Sequence, residues 1–465
     1  MADDLRFEHR MSDSDALMWT IEKDPMLRST IVAVAALDRA PDHQVLTDRL
    51  ERASRLVPRL RQRVVGNPFS LAPPRWEVDP HFDLHYHVRW LRTPAGGDLD
   101  QALSLVEPIA MQGFDRARPL WEFYVVEGLA DDGAVVALKL HHAITDGVGA
   151  VKIGMVLFDL EREPSQTLEM PEAPPVRVLH LRERTLDALD HERRRQLGIA
   201  KRTPATLAPA ARRIVSDPAG ALRSARETAS SAARMLAPSP TPLSPVMRGR
   251  SLSVQFDTIS LPLEDAKAAA KVAQGKLNDA FVAAVLSGMR QYHEHHGSPV
   301  DELRMTMPIN IRNSETEDLA GNAFAPARFL VPLDIRDPVE RMARVRDLVS
   351  QQRAEPSLAL LEPLAMFVYR LPTSASTAVF QTMLKGIDFI TSNVPGIPIP
   401  LFLAGAAVRS QFAFGPMSGA AANLTLLSYQ DQIHIGVNTD PAAIPDRDVF
   451  LACLRDGFDE VLKVG

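Results

Sequence analysis

Residues 134–147 read AVVALKLHHAITDG. The run opens apolar and partly β-branched, closes on Thr145-Asp146-Gly147, and is followed by the helix-like VGAVKIGMVLFDL at 148–160. A strand is therefore expected to end near His142 and a helix to begin near Gly147. Catalytic groups gather on loops at strand ends, because the sheet beneath fixes their position. Adjacent residues on an extended backbone point to opposite sides. His141 and His142 thus cannot both face one cavity: one faces packing and the other faces the reaction. A neutral imidazole is the natural general base near neutral pH, and it can take the proton from an attacking hydroxyl. Asp146 can fix the turn, by accepting a hydrogen bond or pairing with an arginine. Gly147 removes a side chain and lets backbone or substrate approach closely. A metal reading of the His pair lacks a third ligand nearby, so no metal is expected.

Working outward, 121–129 and 134–142 read as strands paired through 130–133. A strand is expected at 29–37, with helices at 14–23 (capped by Ser14 or Asp13), 43–55 and 100–112. From 166 to 250 the chain is rich in Pro, Arg, Ala and Ser, with HERRR at 191–195 and APSPTPLSP at 237–245. This reads as a long crossover with helical pieces at 180–197 and 219–236. Beyond it, strands are expected at 251–262, 303–309, 325–333, 386–392, 407–414, 423–429 and 432–438. Helices are expected at 263–274, 278–295 and 446–463. The pattern implies an α+β protein with an N-terminal unit at 1–165, a crossover at 166–250 and a C-terminal unit at 251–465.

Composition bounds the function. The chain has 465 residues, 46% apolar and 24% charged, enough to bury sizeable cores. Its net charge of −6 argues against nucleic-acid binding. One cysteine, Cys453, excludes an internal disulfide and sits in an apolar helical stretch, as a core residue would. MADDLRFEHR is not a signal peptide, and the most apolar window, 389–408, is broken by Pro395, Pro398 and Pro400. A cytoplasmic protein is expected.

The run HHAITDG resembles the HHxxxDG signature of the CoA-dependent acyltransferase superfamily, which includes condensation domains and plant and polyketide-associated acyltransferases. Further segments resemble its wax ester synthase/diacylglycerol acyltransferase branch. These are Pro119-Leu120-Trp121, Asn278-Asp279, Ser392-Asn393-Val394-Pro395-Gly396, Gly321-Asn322 and Pro445-Asp446, and the match runs from about 12 to 462. The resemblance implies two chloramphenicol-acetyltransferase-like domains with the active site in a channel between them. It implies His142 as the base, with Asp146 mainly structural. It implies transfer of a long-chain acyl group from acyl-CoA, as substrate and with no cofactor, to a fatty alcohol or diacylglycerol. Pro119, Leu120 and Trp121 would line the substrate channel, beside Ser392 and Asn393.

Physical readings stand beside these. Asn278 can cap its helix or present its amide to the cleft. Pro119-Leu120-Trp121 also reads as a strand start packed in the core. SNVPG reads as a turn, and IPIPLFLAG can line a tunnel or a core. Asn278, Ser392, Thr391 and backbone amides are unranked candidates for stabilising the oxyanion. Two departures from the family pattern put the acceptor in doubt: Leu27-Arg28-Ser29 follow Pro25-Met26 where PMHVG is usual, and Ile397 ends the segment usually read SNVPGP. A carrier-protein-dependent condensation-type enzyme and a non-catalytic lipid-binding relative are the alternatives. Lipid acceptors are compatible with peripheral contact with the inner membrane or a lipid droplet. Oligomeric state is not legible.

Overall fold

The computed structural model describes residues 8–66, 72–145, 147–163, 169–217, 219–220, 222–223, 226–227, 230, 239, 241–310, 324–355, 365–366 and 368–465. Asp146, Gly321 and Asn322 lie outside the described residues, as does most of the expected helix at 219–236.

The strands of the first half are β1 (Thr30–Leu37), β2 (Gln62–Val65), β3 (Arg75–Val78), β4 (Val88–Gly97), β5 (Trp121–Leu129) and β6 (Ala134–His141). Those of the second are β7 (Gln255–Pro262), β8 (Glu302–Asn310), β9 (Phe324–Pro332), β10 (Phe389–Ile397), β11 (Phe402–Leu403), β12 (Ala406–Phe414), β13 (Ala422–Tyr429) and β14 (Gln432–Thr439). They form two six-stranded mixed sheets, ordered β11-β12-β1-β6-β5-β4 and β7-β14-β13-β10-β8-β9, and a small β2-β3 hairpin. The described helices are α1 (Asp13–Ile21), α2 (His43–Leu56), α3 (Leu84–His87), α4 (Leu99–Met111), α5 (Gly147–Leu157) and α6 (Leu181–Ser216). They continue with α7 (Leu263–Val272), α8 (Leu277–His295), α9 (Pro338–Arg353), α10 (Thr373–Leu384) and α11 (Arg447–Leu462). The fold is α+β, as the sequence pattern implies.

Each sheet has one helix-covered face. On the first, α4 lays Ala102, Leu103 and Val106 against Val32, Val34, Val126 and Val135. On the second, α8 lies in a core with residues of α7, α9 and α11. Its run Ala280–Leu286 is buried on every side, which suits a central helix. Cys453 is buried in α11, as its apolar setting implies. Among the described residues no helix is long and apolar enough to cross a membrane.

Three expectations need correction. The strand foreseen at 407–414 forms, but in the first sheet: β12 pairs antiparallel with β1, Val32 opposite Phe414 and Ala35 opposite Gln411. A bare β1 edge would leave a row of backbone groups unpaired, and Phe412 and Phe414 join the apolar cluster of that sheet. The first sheet therefore needs residues from 251–465. The sheets also touch through this strand: a Cβ on Gly436 of β14 would fall 2.2 Å from Ala413 O. Next, SNVPG is not a turn but lies within β10, parallel to β13, where a register shift between Val394 and Ile397 absorbs Pro395-Gly396. A Cβ on Gly396 would fall 1.5 Å from Ser428 O, so the strand can pass there only with glycine. Finally, α1 is capped by Ser12, whose Oγ accepts from Asp15 N at 3.0 Å, rather than by Ser14 or Asp13.

Candidate active site

β6 delivers the His pair. His141 N donates to Leu120 O at 3.0 Å, and His142 N donates to Ser29 O at 2.7 Å, so neighbouring strands hold both backbones. The pleat separates the side chains. His142 follows Val136 and Leu138 onto the cavity face, while His141 is fully buried on the other side.

The setting of His141 is tightly specified. Ala143 N donates to its Nδ1 at 2.9 Å. That nitrogen is then the acceptor, which assigns the neutral ring's proton to Nε2. Nε2 lies 3.0 Å from Glu22 Oε2, an off-axis electrostatic contact. The other oxygen, Glu22 Oε1, accepts from Ser29 N at 2.5 Å. Burial pushes the Glu22 carboxyl up, but His141 and the Ser29 N–H outweigh it and leave the group below its usual range. Trp19 and Phe114 meet the His141 ring edgewise at 5.4 and 6.0 Å. One carboxylate therefore ties the turn carrying His142 to the start of β1. Glu22 carries no motif at the sequence level, and only the tertiary pairing reveals it.

Between the sheets lies a cavity of about 360 Å³. Ile31, Ala33, Ala35, Val136, Leu138 and Ala413 line it from the first sheet, with Met18 and Ile21 from α1 and Val151 and Leu157 from α5. The second sheet contributes Thr306, Ser392, Asn423 and Thr425. In register, Ile390 stands beside Thr306 and Asn423, and Ser392 beside Thr425. Thr425 Oγ1 donates to Asn423 Oδ1 at 3.1 Å, and Asn423 Nδ2 donates to Pro416 O at 2.8 Å. Thr306 Oγ1 on the second sheet and Gln411 Nε2 on β12 of the first are buried along the cavity with no partner among the described residues. His142 is the one titratable side chain among the described lining residues.

The other candidates are spread differently. Ser392 and Asn393 stand on the cavity wall with His142. Thr391 does not: its Oγ1 donates to Met305 Sδ at 3.3 Å in the core. Pro119, Leu120 and Trp121 are buried off the wall. Trp121 Nε1 donates to Leu60 O at 2.7 Å, and Trp121 O accepts from His87 Nδ1 at 2.7 Å. This segment supports the strand beneath the His pair rather than lining the channel. Asn278 is also off the wall, in the first turn of α8. It does not cap that helix either, since Asp279 Oδ2 accepts from Lys276 N at 2.7 Å. Asp446 accepts from Tyr292 Oη and from His296 Nε2, a clamp between α8 and the start of α11. Gly147 opens α5.

Residues 11–281 match the model of the wax ester synthase/diacylglycerol acyltransferase catalytic domain, and 320–462 match that family's C-terminal domain. The chain belongs to the wax ester synthase/diacylglycerol acyltransferase family. The catalytic-domain match runs through the crossover and into α8, past the boundaries expected at 165 and 250. A putative diacylglycerol O-acyltransferase of Mycobacterium tuberculosis is 35% identical over 99% of this chain and 93% of its own length. Among solved structures, the wax ester synthase/diacylglycerol acyltransferase of Marinobacter aquaeolei superposes with a TM-score of 0.63 at 22% identity, covering 97% of this chain and 98% of that one. A condensation domain of the CDA synthetase superposes at 0.60 with 14% identity, covering 98% and 96%. These likenesses show a shared fold. As a family member the protein is an acyltransferase, whose substrates are acyl-CoA and a lipid acceptor.

Proposed function

We propose that this enzyme transfers a long-chain acyl group from acyl-CoA to a fatty alcohol or diacylglycerol, with His142 as general base. One observation carries the reading: the His142 imidazole, the one titratable side chain among the described lining residues, stands on the wall of a mostly apolar cavity between two sheets. The imidazole takes the hydroxyl proton as the acceptor oxygen attacks the thioester carbonyl. The carbonyl electrons move to oxygen, and the negative charge needs fixed donors. Ser392, beside Thr425 on the facing wall, is the side chain we assign to supply one. The intermediate then collapses to the ester, and the departing CoA thiolate takes the proton back from imidazolium. Acyl-CoA enters as a substrate, and no cofactor is required. Asp146 keeps the structural role that the family pattern implies, fixing the turn. Acceptors of this kind reside in membranes and lipid droplets, so peripheral contact with such a surface is part of the reading.

Thiol release from palmitoyl-CoA by the purified protein tests it, with hexadecanol, a diacylglycerol or no acceptor. Acceptor-dependent release, lost in His142→Ala, is the expected result. No release with any acceptor overturns the reading.

A further inference from the structure

Over residues 181–197, helix α6 is inverted in polarity. Its inward side is held by charged residues around the buried Ala188. Asp187 pairs with Arg10 and, at 2.6 Å, with Arg75. Glu192 pairs with Arg370 at 2.8 Å, and Arg195 with Asp13 at 2.5 Å. At 100° per residue, Leu186, Leu189 and Leu197 fall together in an arc of roughly 80° on the opposite side. These leucines are 67%, 50% and 51% exposed. An amphipathic helix ordinarily turns its apolar stripe inward. Here ion pairs hold the helix to the body, and the leucines face out. Arg182 and Arg193 fall within the same arc, both exposed. The segment leading into the helix adds Val176 and Val178, exposed beside the exposed Arg177.

We propose that this outward face of α6 docks on an anionic lipid surface. A leucine stripe bordered by arginines fits the acyl and phosphate layers of such a surface. The ion pairs also place the face usefully. Arg195 ties α6 to α1, and Glu192 ties it to the segment leading into α10; both of those helices contribute residues to the cavity wall. A docked α6 brings the channel beside the layer that holds the acceptor. The inference rests on the lipid-acceptor reading above for its purpose, but not for its test.

The test is co-flotation of the full chain with vesicles of phosphatidylcholine, with and without phosphatidylglycerol. It is run beside turnover on detergent-dispersed hexadecanol and a measurement of mass in solution. Wild type floats with the anionic vesicles and less with phosphatidylcholine alone. The triple variant Leu186→Ser/Leu189→Ser/Leu197→Ser loses about tenfold or more of the bound fraction, with unchanged melting temperature and unchanged turnover on dispersed acceptor. If that variant unfolds, Arg182→Glu/Arg193→Glu is read instead, with the same expected loss on anionic vesicles. The proposal is overturned if wild type does not float, or if folded variants float as wild type does. It is also overturned if the triple variant converts a dimer to a monomer, which makes the face an interface between copies. Flotation without turnover on any acceptor would defeat the acyl-transfer reading and leave the docking surface standing.

Discussion

The first sheet meets the cavity with Ala33, Ala35, Val136 and Leu138, and ends in His142, the one titratable group among the described lining residues. The second meets it with the uncharged hydroxyl and amide groups of Thr306, Ser392, Asn423 and Thr425. In the proposed mechanism, proton transfer and charge stabilisation fall to different halves of the molecule. His142, the proposed base, is backed by Glu22 and His141, whereas on the second sheet Thr425 Oγ1 donates to Asn423 and Asn423 Nδ2 donates to Pro416 O. A reaction site exists only where the halves are docked, which gives the Gly436–Ala413 approach its importance.

The division can be broken from either side. The largest effect belongs to the first sheet. His142→Ala should lower kcat by about 10³-fold, near 4 kcal/mol of barrier, at unchanged melting temperature. Activity equal to wild type would remove the base from this wall. Next is Glu22→Ala, for which we expect a 10- to 100-fold loss, roughly, in kcat with little change in KM. Glu22→Gln should recover part of it, because its carbonyl oxygen can still accept from Ser29 N. Loss confined to KM would make Glu22 a substrate contact instead. Third, Ser392→Ala should cost roughly tenfold to a hundredfold in kcat if its hydroxyl meets the oxyanion. No change would shift that role to Thr306, Thr425 or a backbone amide.

The smallest effect concerns stability. Each half buries one histidine held to about pKa 4: His87 under Trp121, and His434 against Phe412. Desolvation is the main cause for both. The unfolded chain binds these protons more readily. Their contribution is therefore complete above about pH 6.5 and is lost as pH falls toward 4. Melting temperature should drop over that window, by the equivalent of about 3 kcal/mol for the fully buried His87. His87→Phe should flatten the drop. An unaltered pH profile in that variant would deny His87 the role.

Much of this was legible in the sequence because it is local. The strand-to-helix change around HHAITDG put His142 on a strand end, and the two-residue period sent its neighbour to the opposite face. Ser392 and Asn393 were found through their family segment. What was missed depends on tertiary pairing. Glu22 becomes meaningful only when α1 packs under the β6 turn. The composition of β12 states that it is a strand but not which sheet it joins. Trp121 reads by itself as a core residue and by resemblance as a channel residue, until its indole N–H is seen donating to Leu60 O. Pro395-Gly396 carries turn chemistry, yet parallel pairing with β13 draws it into a strand as a bulge.

The placement of β12 bears on the order of events during synthesis. Its partner β1 ends at Leu37, whereas β12 ends at Phe414, close to the end of the chain. At about 5–20 residues per second, β1 waits tens of seconds on the ribosome for the strand that closes its open side. The sheet that carries the base cannot mature as an early, self-sufficient unit. A chain stopped before residue 406 would present an unpaired, apolar strand edge, the kind of surface that chaperones engage and that seeds aggregation.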